Sequence, residues 1–192
     1  MPILGVVASS RQVAVSGDWE SIQTITSSSA FASANFTSIP QTFKHLQVRA
    51  VLGGNANAND TNYIQYRLNG NTSANYYTER YGQQNTSAVS SVNTGQIEVS
   101  PALASYENAT AITYMYGVLI LDLYDYTNAN KRPVAMSMGG GNTNSTFGYY
   151  NAAMEGVGVL NTGNAAITGI TVFTQVGDMK AYSKVALYGM KG

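Results

Sequence analysis

The chain has 192 residues, enough for one domain with a substantial core. Charged residues make up 10 % of it, against about 25 % in an average domain, and 10 basic side chains balance 10 acidic ones. That balance argues against nucleic-acid binding, which needs a basic excess, and against electrostatic attachment to a membrane. There is no cysteine and a single histidine, His45. Disulfides, thiolate chemistry, cysteine zinc sites and two-histidine metal sites are excluded with them, and no cofactor is expected. A surface solubilised by Asn, Ser, Thr and Tyr rather than by charge has less to keep it monomeric, so a homo-oligomer is expected. No segment approaches the ~18 consecutive apolar residues of a membrane span.

At the start of the chain, Ile3, Leu4, Val6 and Val7 are apolar and are followed by the polar Ala8-Ser9-Ser10-Arg11. Residues 1–17 read as an N-terminal arm, with these four side chains docking on a neighbouring chain; a frayed end or an edge strand is the other reading. The segment lacks the basic start of a secretory signal, so assembly in the cytoplasm is expected. Trp19 marks the beginning of one β-sandwich domain over residues 18–192. Short apolar runs then alternate with Gly/Asn/Ser/Thr clusters, the pattern of an all-β protein. Strands are predicted at Trp19–Thr26, Ala32–Ile39 and His45–Leu52, the last with Leu46, Val48, Ala50 and Leu52 on one side and His45, Gln47 and Arg49 on the other. Tyr63–Leu68 alternates in the same way, with Gln65 and Arg67 outward. Asn69-Gly70 predicts a tight hairpin turn, because both residues tolerate positive φ, and Tyr76–Tyr81 the strand that returns from it. Gly117–Leu123 is apolar on both faces. A sandwich strand is ordinarily wet on one side, so Val118 and Ile120 are expected at a subunit contact, with a crossing loop as the alternative cover. Strands at Val134–Met138, Tyr149–Val159, Ile167–Gln175 and Lys184–Met190 complete an antiparallel two-sheet β-sandwich of jelly-roll type.

Little in the chain points to catalysis. No two acids are marked as the facing pair that a glycosidase needs. Asp122 and Asp125, three apart on an extended chain, point to opposite faces. Asn57-Ala58-Asn59-Asp60 is rich in oxygen but lacks the ligand spacing of a calcium loop. His45 sits in a strand, with no Gly-x-Ser-x-Gly elbow anywhere to serve it. Gly139-Gly140-Gly141 is followed by neither Lys-Ser/Thr nor a helix signal, so it reads as a loop. The 14 tyrosines are the unusual feature. Tyr76, Tyr77, Tyr81, Tyr149 and Tyr150 fall near loops, where they would stack on a sugar or build an interface; packing within strands is an equal alternative.

Three segments carry a resemblance. They are Trp19-Glu20-Ser21-Ile22 with Phe36-Thr37-Ser38-Ile39-Pro40-Gln41-Thr42-Phe43-Lys44-His45-Leu46-Gln47-Val48-Arg49, then Asp122-Leu123-Tyr124-Asp125-Tyr126-Thr127-Asn128-Ala129-Asn130-Lys131, and finally Tyr182-Ser183-Lys184-Val185-Ala186-Leu187-Tyr188-Gly189-Met190-Lys191-Gly192. In this order they resemble a family of tailed-bacteriophage virion structural proteins; Gln83 to Ala104 matches it least. The resemblance implies a non-enzymatic virion component. The role expected is a capsid decoration (cement) protein, a symmetric trimer bound to the major capsid protein or another virion protein, with no nucleic acid or membrane partner. A tail-fibre or receptor-binding protein, reading host glycan through Tyr-rich loops, is the alternative.

Overall fold

The computed structural model describes residues 18–54, 60–84, 87–96, 99–107, 116–141, 152–159 and 164–192. The arm expected over residues 1–17, with Ile3, Leu4, Val6 and Val7, lies outside the described residues, as do Tyr149 and Tyr150.

The described residues form an all-β sandwich. In chain order the strands are β1 (Trp19–Thr26), β2 (Ser33–Phe36), β3 (His45–Leu52), β4 (Asp60–Leu68), β5 (Tyr76–Gln84), β6 (Ser87–Gln96), β7 (Val99–Glu107), β8 (Gly117–Tyr124), β9 (Val134–Gly140), β10 (Ala152–Val159), β11 (Ile170–Thr174) and β12 (Lys184–Met190). They make an eight-stranded sheet, β1-β12-β3-β8-β9-β10-β5-β6, and a four-stranded sheet, β2-β11-β4-β7. Set β5, β6, β9 and β10 aside, and the sheets become β1-β12-β3-β8 and β2-β11-β4-β7. That interleaving of early and late strands is the double Greek key of a jelly roll. The two additional strand pairs both extend the large sheet beyond β8.

Period-two alternation builds the core. Leu46, Val48, Ala50 and Leu52 of β3 and Leu119, Leu121 and Leu123 of β8 meet Ile64, Tyr66 and Leu68 of β4 and Ile170 and Val172 of β11 in one buried cluster. β3 lies between β12 and β8, with Val48 opposite Leu187 on one side and Leu121 on the other. The inward side of β4 is as its alternation predicts, but Gln65 is buried as well rather than outward.

The Asn69-Gly70 turn forms with both residues at positive φ (51° and 63°), and Asn71 N donates to Leu68 O at 3.0 Å. It does not close a hairpin. β4 pairs with β11 and β7, whereas β5 pairs with β10 and β6 in the other sheet. The turn is instead anchored to residues 166–169. Asn69 Oδ1 accepts from Thr168 N (2.8 Å) and Gly169 N (3.1 Å), and Asn69 Nδ2 donates to Ala166 O (2.8 Å). Six residues after Gly70, Tyr76 is 0 % exposed, not at a ligand loop. Its hydroxyl accepts from Leu68 N at 2.9 Å and so ties the first residue of β5 to the last of β4. At the same end of the core, where Ile167 N donates to its carbonyl, Tyr126 is buried with its hydroxyl donating to Pro40 O. Burial raises its pKa and keeps it a neutral donor.

The β8–β9 connection turns at Asp125, whose φ is 47°. Its carboxylate accepts from Lys131 Nζ, and this hydrogen bond chiefly holds its pKa below the usual 3.8. A carboxylate with a lowered folded pKa stabilises the fold above its unfolded pKa and loses that contribution as the acid form takes over. Asn tolerates the same backbone conformation. In Asp125→Asn, the loss of stability relative to the parent should therefore be present at neutral pH and fade as the pH falls below 3.8, followed by urea unfolding across that range. Two core substitutions should cost more. Tyr76→Phe removes the acceptor of a buried amide, for about 1–3 kcal/mol. Gly189→Ala would place a Cβ 2.3 Å from the Phe43 ring, an overpacking of about 1–3 kcal/mol. Both should lower the urea midpoint with the fluorescence of the folded state unchanged.

Candidate outer-face binding surface

The face of the large sheet turned away from the small one is the feature that an isolated sandwich would not produce. On β8 every second side chain enters the core, and the alternate set, Val118, Ile120 and Tyr124, is exposed. Val118 is 50 % and Ile120 39 % accessible. These two residues, expected at a subunit contact, lie side by side with other apolar groups. Val118 is opposite Val51 on β3, and Ile120 is opposite Met138 on β9. β9 inverts the usual distribution: its small residues Ala135 and Ser137 are buried, while Val134, Met136 and Met138 face out. β7 of the small sheet packs against β9. The result is a contiguous apolar surface over β3, β8 and β9. Contiguous exposed apolar patches are uncommon on monomeric proteins.

The surface continues along the sheet extension. Tyr77 and Tyr81 are exposed on β5, Tyr81 at 70 %. Both are strand residues on the outer face rather than loop residues. Tyr81 and Met138 lie in one row of the sheet, each paired with Met154 of β10. Of the five tyrosines expected at ligand loops, these two therefore share one face, while Tyr76 belongs to the core.

A polar strip crosses the apolar area near β1. The Arg49 guanidinium lies 5.1 Å from the Trp19 ring centroid and 5.0 Å from that of Tyr188. Its Nε donates to Gln47 Oε1 at 2.6 Å, and Gln47 Nε2 donates to Asp122 Oδ1 at 2.7 Å. Two ring contacts and one hydrogen bond fix the orientation of the cation. Beside it is a depression of about 520 Å³ lined by Arg49, Val51, Val118, Ile120, Met138 and Lys184, among others. Sequence reasoning did not find the Arg49 clamp, because Trp19, Arg49 and Tyr188 come from three distant strands and no local pattern links them.

The other chemical candidates are placed as follows. His45 Nδ1 accepts from Asp125 N at 2.9 Å. A Ser-His-Asp arrangement would ask that nitrogen to donate to a carboxylate, so the geometry is the reverse of that role. Asp122 is on the outer face with Gln47, and Asp125 is in the turn with Lys131. Among the described residues no three His, Cys, Asp or Glu side chains come together as metal ligands. Residues 57–59 of the oxygen-rich loop lie outside the described residues. Gly139 and Gly140 belong to β9, not to a loop.

No known protein-family model matches the chain, and a search of curated proteins finds no match. Among solved structures, the chain is similar to the Ruminococcus gnavus IT-sialidase CBM40 bound to alpha2,3 sialyllactose, at 7 % identity and a TM-score of 0.24, over 80 % of this chain and 92 % of that one.

Proposed function

We propose that this protein is a bacteriophage virion structural protein, a capsid decoration protein that binds the outer shell as a symmetric trimer and stabilises it. One observation carries the reading: large apolar side chains stand exposed together across β3, β8 and β9 in the middle of the large sheet. An apolar surface of this extent calls for a partner to cover it. The low charge of the chain supports close packing among many copies. The resemblance of three chain segments to tailed-phage virion proteins supplies the setting. In this reading Val118 and Ile120 lie at the subunit contact, and Ile3, Leu4, Val6 and Val7 dock on the major capsid protein or another virion neighbour. The protein works by binding, with no catalytic step, no cofactor, and neither nucleic acid nor membrane as partner; it is assembled in the host cytoplasm and ends in the virion.

The exposure of Tyr77 and Tyr81 on one face favours a second reading, a tail-fibre or receptor-binding protein whose tyrosines stack on host glycan.

The copy number of the chain per purified particle, measured by quantitative mass spectrometry against the major shell protein, separates the two. A ratio near that of the shell protein, or a simple symmetric fraction of it, is expected for decoration. A handful of copies would move the protein to the tail, and absence from particles would overturn both readings. Deleting residues 1–10 should abolish particle binding while leaving the circular dichroism and thermal midpoint of the domain unchanged. Undiminished binding would remove the arm from the proposal.

A further inference from the structure

The depression on the outer face has a chemical bias that its apolar floor alone does not explain. Val118, Ile120 and Met138 form the floor, and two cations, Arg49 and Lys184, stand on the β3–β12 side. Among the described residues, no carboxylate lies within ion-pair distance of either cation. Arg49 is held by Gln47 and by two aromatic rings, none of which neutralises it. Asp122, the acid on that side of the face, accepts from Gln47, which stands between it and Arg49. Lys184 is exposed at the start of β12, opposite Val51. On the β9 side, the half-buried Gly140 presents backbone without a side chain, so another chain can approach closely there.

We infer that this depression is a docking site for an extended segment of a partner protein that carries a carboxylate between apolar side chains. The apolar side chains lie on Val118, Ile120 and Met138, and the carboxylate lies between Arg49 and Lys184. Two features select this occupant. The unmatched positive charge asks for an anion. The site is also open along the sheet face, so the occupant must bring its own cover, as a folded neighbour does and a free acyl chain does not. The chain's own residues 1–17 contain no Asp or Glu and do not supply the anion. The inference departs from the proposed function at one point, since it places a different protein rather than a second copy on Val118 and Ile120, and it is tested without particles, so the two fail separately.

The test uses isotope-labelled full-length chain titrated with the peptide acetyl-Leu-Ser-Asp-Ser-Leu-amide, which places Leu, Asp and Leu on one face when extended. Amide shifts of β3, β8 and β9 are followed by NMR. Saturable shifts centred on Ile120 and Met138 are expected. The Asp-to-Asn peptide, and separately the Lys184→Glu variant, should each weaken binding about tenfold, the effect of losing one charge-assisted contact. Ile120→Asp should abolish binding while its spectrum stays that of a folded chain. Equal binding of the Asp and Asn peptides, or no saturable shift on these strands, would overturn the inference. Tighter binding of decanoate than of the peptide would overturn the choice of a protein partner. Light scattering in which Lys184→Glu dissociates an oligomer of the parent chain would show that a second copy fills the site, and would overturn the choice of a different protein.

Discussion

The large sheet hangs on β3. It is hydrogen-bonded to β12 on one side and β8 on the other, and every other strand of that sheet is attached through one of those two. Its inward residues Leu46, Val48, Ala50 and Leu52 form the centre of the core. Its outward residues Gln47 and Arg49 organise the polar strip of the opposite face. One eight-residue strand thus specifies the core on one side and part of the outer face on the other. A slip of one residue in its register would exchange the two sets of side chains.

The strand pairs β5–β6 and β9–β10 change what the jelly roll can present. Both are inserted between framework strands and both join the same edge, so the large sheet doubles in width while the small one keeps four strands. The core needs only part of that width. Hence the small residues of β9 face inward and its Val134, Met136 and Met138 face outward, which carries the apolar surface from β8 into the extension. Tyr77 and Tyr81 continue it on β5. The Arg49 clamp and Lys184 border the same area from the β12 side and give it polarity. The surface is thus apolar at its middle, cationic at one margin and aromatic at the other.

Much of this was legible in the sequence wherever alternation was strong. The spans His45–Leu52 and Lys184–Met190 match the structure because one apolar face against one polar face leaves a single register open; Trp19–Thr26 matches in its bounds although a register shift between Ser21 and Gln23 interrupts its alternation. The two-faced β8 was read from its composition, and its exposed Val118 and Ile120 follow from it. β6 and β7 were not foreseen: SAVSSVNTGQ and VSPALASYE offer little contrast between faces. The Asn69-Gly70 turn was read in its backbone conformation but not in its destination. Turn chemistry is local, while the sheet that β5 joins is decided by its pairing with β10, about seventy residues further on. Tyr76 was misplaced for the same reason, since its partner, Leu68 N, is close only because the chain crosses between sheets there. The Arg49 clamp depends on three strands that meet only in the finished sheet.

The position of β12 has a consequence for how the chain is made. Among the described strands it is the last in the chain, yet it lies between β1, the first of them, and β3. Until Lys184–Met190 have emerged, β1 has no neighbour in the large sheet and β3 carries one unpaired edge. Non-local pairings of this kind are slow to form, and open edges in the meantime invite pairing with other nascent chains. The pairing of β1 into the large sheet therefore waits for β12. Loss of that strand would detach β1 as well, because β12 is the neighbour through which β1 joins the sheet.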